Sequence, residues 1–141
     1  MSKLLRIITG RNETLTNIGI LWLRILLGLG IAYHGYGKVF GGGLEGFAKG
    51  VEAMGFPNPE FFAWAAALSE FAGGILIILG LFTRPAALMV FTTMAVAIFI
   101  MHAPDPLQKK ELALAYWTGS FFLVLAGSGK LGLDVMFSKD K

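Results

Sequence analysis

The sequence predicts an all-α fold, a polytopic membrane four-helix bundle with both termini cytoplasmic, and three observations predict it. Hydrophobic residues make up 55% and charged residues 15% of the 141 positions, with a mean hydropathy of +0.68. A soluble domain averages about 25% charged residues, and a chain this short cannot hide so much apolar surface in one water-bounded core. Four apolar stretches each match the thickness of a bilayer. The basic residues are shared unequally between the two sets of connecting segments. No internal boundary divides the chain, so residues 1–141 read as a single membrane domain.

The apolar stretches run over about residues 16–38, 61–82, 85–103 and 111–128. At 1.5 Å per residue each crosses a hydrocarbon core of about 30 Å. Inside lipid the backbone must satisfy its own polar groups, so each stretch is expected to be a helix. Gly41-Gly42-Gly43 stops the first, and Pro57-Asn58-Pro59 precedes the second. Thr83-Arg84-Pro85 is a tight turn with Pro85 suited to a first helical turn, and Pro104-Asp105-Pro106 and Gly127-Ser128-Gly129 close the third and fourth. The largest connection, about residues 39–60, contains a stretch from Gly46 to Met54 that fits a short amphipathic surface helix. The first apolar stretch, long and with no small-residue cleavage site, reads as a retained helix and not as a signal peptide.

Charge sets the orientation. Lys3, Arg6, Arg11, Arg84, Lys130, Lys139 and Lys141 fall in the two tails and the connection after the second helix. The other two connections hold Lys38, Lys49, Lys109 and Lys110, offset by Glu45, Glu52, Glu60, Asp105 and Glu111. The positive-inside rule then places both tails in the cytoplasm. The net charge of +3 is no nucleic-acid signal, because the basic residues form no stripe. With no cysteine, disulfides, thiolate metal sites and thiol redox chemistry on this chain are excluded. No metal site is expected.

Ionisable residues within membrane helices mark functional sites by default, since burying one costs about 2.5–3.5 kcal/mol even on the milder scale. Arg24 and Glu70 are the deep pair. If both helices begin flush with the membrane surfaces, the two lie less than a helical turn apart in depth, and an intramembrane Arg24–Glu70 ion pair is expected. Such a pair either locks two helices in register or takes part in binding and proton movement. Gly28 and Gly35 on one helix and Ala66, Gly73 and Gly74 on the other would allow close approach.

A second group lies toward the outer ends. His34 and Lys38, four apart, share one helix face; His102 closes the third helix and Glu111 opens the fourth. These four are the ligand or proton-relay candidates. Neutral imidazole can relay a proton or hydrogen-bond a carbonyl, although a histidine at a helix end more often simply sits at the polar interface. On the residues alone a quinone-like carbonyl and a bis-histidine haem both stay open as partners, although nothing local marks a haem. Tyr33, Tyr36, Phe40, Trp64, Tyr116 and Trp117 read as interfacial belt residues. No Walker, Rossmann, HExxH, GxSxG or CxxC motif is present, and no catalytic residue can be named.

The residue set Arg24, then His34-Gly35 with Lys38, then Glu70-x-x-Gly-Gly before Leu79-Gly80-Leu81-Phe82-Thr83-Arg84, then His102, Glu111 and Gly127-Ser128-Gly129-Lys130-x-x-x-Asp134 resembles the DoxX family of small four-helix integral membrane proteins. The resemblance implies a bundle in the cytoplasmic (inner) membrane. It also implies redox work, as in a subunit of a quinone-linked oxidoreductase with a partner redox protein. Two functions follow as expectations. One is a redox-associated subunit binding a quinone-like or other small apolar ligand near the outer side, with His34 and Lys38 on its head group. The other is a non-enzymatic scaffold that assembles a partner protein. A carrier would need a through-path that only a homo-oligomer could supply.

Overall fold

The computed structural model describes residues 3–138, and among them every regular element is helical. Lys139 and Lys141, two of the tail charges behind the expected orientation, lie outside the described residues. A short α1 (Lys3–Thr9), which the sequence did not announce, precedes the 27-residue α2 (Glu13–Val39). The Asn12 side chain caps α2 by accepting from the Leu15 amide at 3.1 Å, and Glu13 complements the positive end of the helix dipole.

The connection after α2 carries α3 (Leu44–Ala53), close to the expected amphipathic segment. Proline opens α4 (Pro59–Leu79). It stops three residues before the expected 82 because Gly80 turns left-handed at φ +66°, a conformation that glycine adopts without steric cost. Next, α5 (Thr83–Val96) runs on into a π-helical turn, Ala97–Met101, where the His102 amide donates to the Ala97 carbonyl at 2.9 Å. The 20-residue α6 (Leu107–Ala126) starts four residues earlier than the expected 111, directly after the extended Pro106, and α7 (Val135–Ser138) is one turn near the end.

Ile7–Val39, Pro59–Leu79 and Thr83–Met101 are long and apolar enough to cross a membrane. The fourth expected span, α6, is long enough, but Lys109, Lys110 and Glu111 in its first turns set it apart. The surface agrees with a lipid solvent. Trp22, Leu26, Leu29 and Tyr33 on α2, Leu68 and Ile75 on α4, Leu88 and Phe99 on α5 and its extension, and Phe121, Phe122 and Leu125 on α6 are all exposed, far more apolar surface than a water-soluble monomer shows. The core is small by comparison, built on Ile31, Ile77, Ala87, Val90 and Leu123.

Glycine decides how α2 meets α4. A Cβ added at Gly28 would lie 2.7 Å from the Gly74 carbonyl oxygen, and one added at Gly74 would lie 2.7 Å from that of Gly28. The two backbones touch there, as the small-residue faces had suggested. Gly35 packs on Phe71, and Gly80 packs on the Arg24 guanidinium. These contacts define the antiparallel register. The helices are staggered and not flush, so α4 projects past the end of α2 on the side where α3 lies. That offset governs which polar groups meet.

Candidate functional site

The stagger overturns the expected Arg24–Glu70 pair. Arg24 sits level with Gly80, and Gly80 is ten residues, about 15 Å of helix rise, from Glu70. Glu70 instead lies opposite the last turn of α2, where Lys38 Nζ donates to both carboxylate oxygens at 2.7 Å. The Glu70 side chain is 3% exposed and that of Lys38 is 24%. A carboxylate so buried needs a partner, and the bidentate ammonium supplies it. The same ammonium lies 4.1 Å from the centroid of the Phe47 ring, which ties α3 to the pair by a cation–π contact.

Around this pair opens a cavity of about 1010 Å³. His34, Lys38, Glu70, His102 and Tyr116 all line it. The α2 contribution follows helical spacing, since Ile31, His34 and Lys38 share one face. From α6 come Lys109, Leu112, Ala113 and Tyr116, again one face. Glu111 is off that face by the geometry of the helix; it is exposed and does not line the cavity, so it does not join the other three candidates. The Tyr116 and His34 rings meet in a T-shaped arrangement with centroids 6.0 Å apart. Its hydroxyl occupies the space that a side chain at Gly30 would fill.

On the third side, the π-helical turn brings Ala97 and Met101 to the cavity wall. Such turns insert one residue into a helix and recur at functional sites. Directly after it, His102 lines the cavity and its Nδ1 lies 2.7 Å from Asp105 Oδ2. Lys109 Nζ approaches the other Asp105 oxygen at 3.7 Å. The hydrogen bond with His102, helped by Lys109, holds the Asp105 carboxyl below the ordinary carboxylate range. Because the folded value is the lower one, this link is intact above the ordinary value of about 3.9 and is lost as pH falls through the depressed one. The protection factors of the His102, Ala103, Asp105 and Leu107 amides should therefore stay constant from pH 7 to about 4 and fall below that. Asp105→Asn should lower them at neutral pH and remove the acid step. An acid step that persists in the variant would assign it to another group.

Arg24 serves a different structure. It is 1% exposed; its Nη1 donates to the Ser128 carbonyl at 2.9 Å and its Nη2 to that of Leu131 at 3.2 Å. The segment so held closes the end of the bundle away from the cavity. Asp134 accepts from the Phe82 amide at 2.7 Å and the Thr83 amide at 3.0 Å, capping α5, while its own amide donates to the Gly80 carbonyl at 2.8 Å. Asn17 accepts from the Lys130 amide at 2.7 Å, and Lys130 pairs with Glu13 at 2.5 Å. The strings Leu79–Arg84 and Gly127–Asp134 are thus two halves of one hydrogen-bonded closure.

Sequence reasoning selected His34, Lys38, Glu70 and His102 but missed Tyr116 and Asp105 as parts of the site. Tyr116 read as a belt residue because nothing local shows that it faces a glycine across the bundle. Asp105 carries a local signal, its position three residues after His102.

A family model described as DoxX matches residues 19–103. Among relatives, the Bacillus subtilis (strain 168) protein named "Putative oxidoreductase CatD" is 32% identical over 88% of this chain and 90% of its own length. The Escherichia coli (strain K12) "Inner membrane protein YqjF" is 30% identical over 90% of this chain and 98% of its own length. "Inner membrane protein YphA" of the same organism is 31% identical over 82% and 87%. No solved structure matches the chain.

Proposed function

This chain is a membrane protein of the DoxX family, and on that premise we propose that it is a redox-associated inner-membrane subunit whose cavity binds a quinone-like, lipid-soluble ligand. In this reading the chain crosses the bilayer four times, with both termini cytoplasmic and α3 and the cavity on the outer side. The excess of Lys and Arg in the tails and after α4 supports that orientation. The name of CatD and those of the two inner-membrane relatives agree with a redox-linked membrane role.

One observation carries the proposal: hydrogen-bonding side chains from four different segments converge on one largely apolar cavity, namely His34 and Lys38 from α2, Glu70 from α4, His102 beyond α5 and Tyr116 from α6. A ligand site has this makeup, mostly apolar walls with a few placed polar groups. The donors suit a quinone head. His34 is exposed within the cavity, and the Lys38 ammonium has a third N–H beyond the two engaged by Glu70. A bound quinone would supply two-electron, two-proton chemistry. The chain itself orients the ring through His34 and Lys38 and keeps water off the Lys38–Glu70 pair under α3.

Replacing His34 by alanine removes one hydrogen bond to the head group, worth about 0.5–1.5 kcal/mol. Binding of a water-soluble benzoquinone to the purified protein in detergent should weaken by about twofold to tenfold. Unchanged affinity in His34→Ala, or an absence of binding by the unmodified protein, would remove the quinone reading.

A further inference from the structure

The cavity is much longer than a ring-sized head group requires. Its lining runs along α4 from Phe62 to Ala72 and along α5 and the π-helical turn from Leu88 to Met101. At 1.5 Å per residue those stretches cover roughly 15 and 20 Å along the bundle. Its charged and ring-bearing polar groups are His34 and Lys38 of α2, Glu70 of α4, His102 beyond α5, and Lys109 and Tyr116 of α6. Along the cleft between α4 and α5 the polar side chains are Ser69, Thr92 and Thr93, and their hydroxyls are already engaged. Thr93 Oγ1 lies 3.1 Å from Ser69 Oγ and 3.0 Å from the Met89 carbonyl oxygen, and Thr92 donates to the Leu88 carbonyl at 2.9 Å.

The two sides of the cavity differ in what they open to. Toward the connection after α2 it is roofed by α3, which contributes Phe47 and Val51 to the lining, and Val51 is 4% exposed. Toward the flank it is open, because Ala65 and Ala72 on α4 and Leu88 and Thr92 on α5 line it and are also exposed at the surface of the protein. Those residues belong to two of the segments apolar enough to cross a membrane, so this opening faces hydrocarbon. The alanines leave a groove between the helices where larger side chains would fill it.

We infer that the ligand is an amphiphile with a long apolar tail, that it reaches the cavity sideways from the bilayer between α4 and α5, and that its tail lies in this cleft. The inference deepens the quinone-like reading and rests on it for the head group alone. A ligand arriving from water would have to pass under α3 and would leave the cleft unused. A tail instead buries the apolar walls and gains the transfer free energy of each methylene that a chainless ring leaves behind.

The test places tryptophan in the cleft at Ala72 or, separately, at Ala65. Both positions are exposed, so the added ring displaces a tail and not the packing of the bundle. Equilibrium binding in nanodiscs is compared for three probes: a decyl-substituted benzoquinone, its chainless parent, and palmitate. Ala72→Trp should weaken the decyl compound at least tenfold and leave the chainless parent within twofold. Equal effects on both quinones, or no effect on the decyl compound, would overturn the inference. If neither quinone binds but palmitate does, and Ala72→Trp abolishes that binding, the head-group assignment fails while the cleft stands as a tail site. If no tailed probe binds the unmodified protein, the cleft proposal fails with it. The Ala65→Trp variant, one probe series further along the same groove, guards against a local folding effect at position 72.

Discussion

Replacing Glu70 by leucine is expected to destabilise the protein by about 3–5 kcal/mol, the cost of breaking a buried pair and leaving the other charge without a partner. Both oxygens of Glu70 accept from Lys38 at 2.7 Å, and the carboxylate is 3% exposed. Domains are stable by about 5–15 kcal/mol, so the variant should lose much of its folded fraction in detergent. The readout is the midpoint of unfolding in a denaturant titration followed by gel filtration. Pair specificity gives the sharper result. Lys38→Glu with Glu70→Lys should recover part of the loss, whereas Arg24→Glu with Glu70→Arg should recover none, because those two positions are about 15 Å apart along the bundle. Recovery by the Arg24 double variant would contradict the register of α2 against α4.

Replacing Arg24 by methionine is expected to cost about 3 kcal/mol, on the basis of two hydrogen bonds from a charged donor at about 1.5–3 kcal/mol each, partly offset by retained apolar packing. The effect should be local as well as global. Without Arg24 the Ser128 and Leu131 carbonyls lose their buried donor, and the segment that caps α5 through Asp134 is released. Hydrogen exchange at residues 128–134 and at the amides of Phe82 and Thr83 should quicken far more than at Lys38 or Glu70. Quinone binding in the cavity should change by less than about threefold, since the closure and the cavity lie at opposite ends of the bundle. A large loss of binding with the closure intact would instead put Arg24 within the ligand site.

How much of this was readable beforehand depends on the range of the interaction involved. Much of the punctuation around the helices was legible, since Pro59 and Gly127 act within a few residues of themselves, whereas the Asn12 cap and the left-handed Gly80 were not. The close faces at Gly28 and Gly74 were legible as well, because small residues at helical spacing mark a surface that another backbone can approach. His34, Lys38 and His102 come together at one cavity, as each lies near the same end of its helix. Glu111 does not join them there, because it lies off the face that Lys109, Leu112 and Tyr116 present to the cavity. The expected partner of Glu70 failed for a quantitative reason. The pairing with Arg24 requires helices that start flush with the membrane, and the actual stagger shifts one against the other by about three turns relative to that pairing.

Composition and the lengths of the apolar runs were enough to determine an all-helical chain suited to lipid and, with its motif set, membership of the DoxX family. These are properties of single segments, and hydropathy and backbone hydrogen bonding act within a segment. Tertiary structure alone decided that Lys38 and not Arg24 neutralises Glu70, that Arg24 binds the carbonyls of the closing segment, and that a cleft between α4 and α5 leads to the polar wall. The reason is geometric. Charge pairing acts over a few ångströms, whereas sliding one helix by a single turn moves a side chain by 5.4 Å, and the packing of glycine on glycine that sets the slide belongs to two helices together.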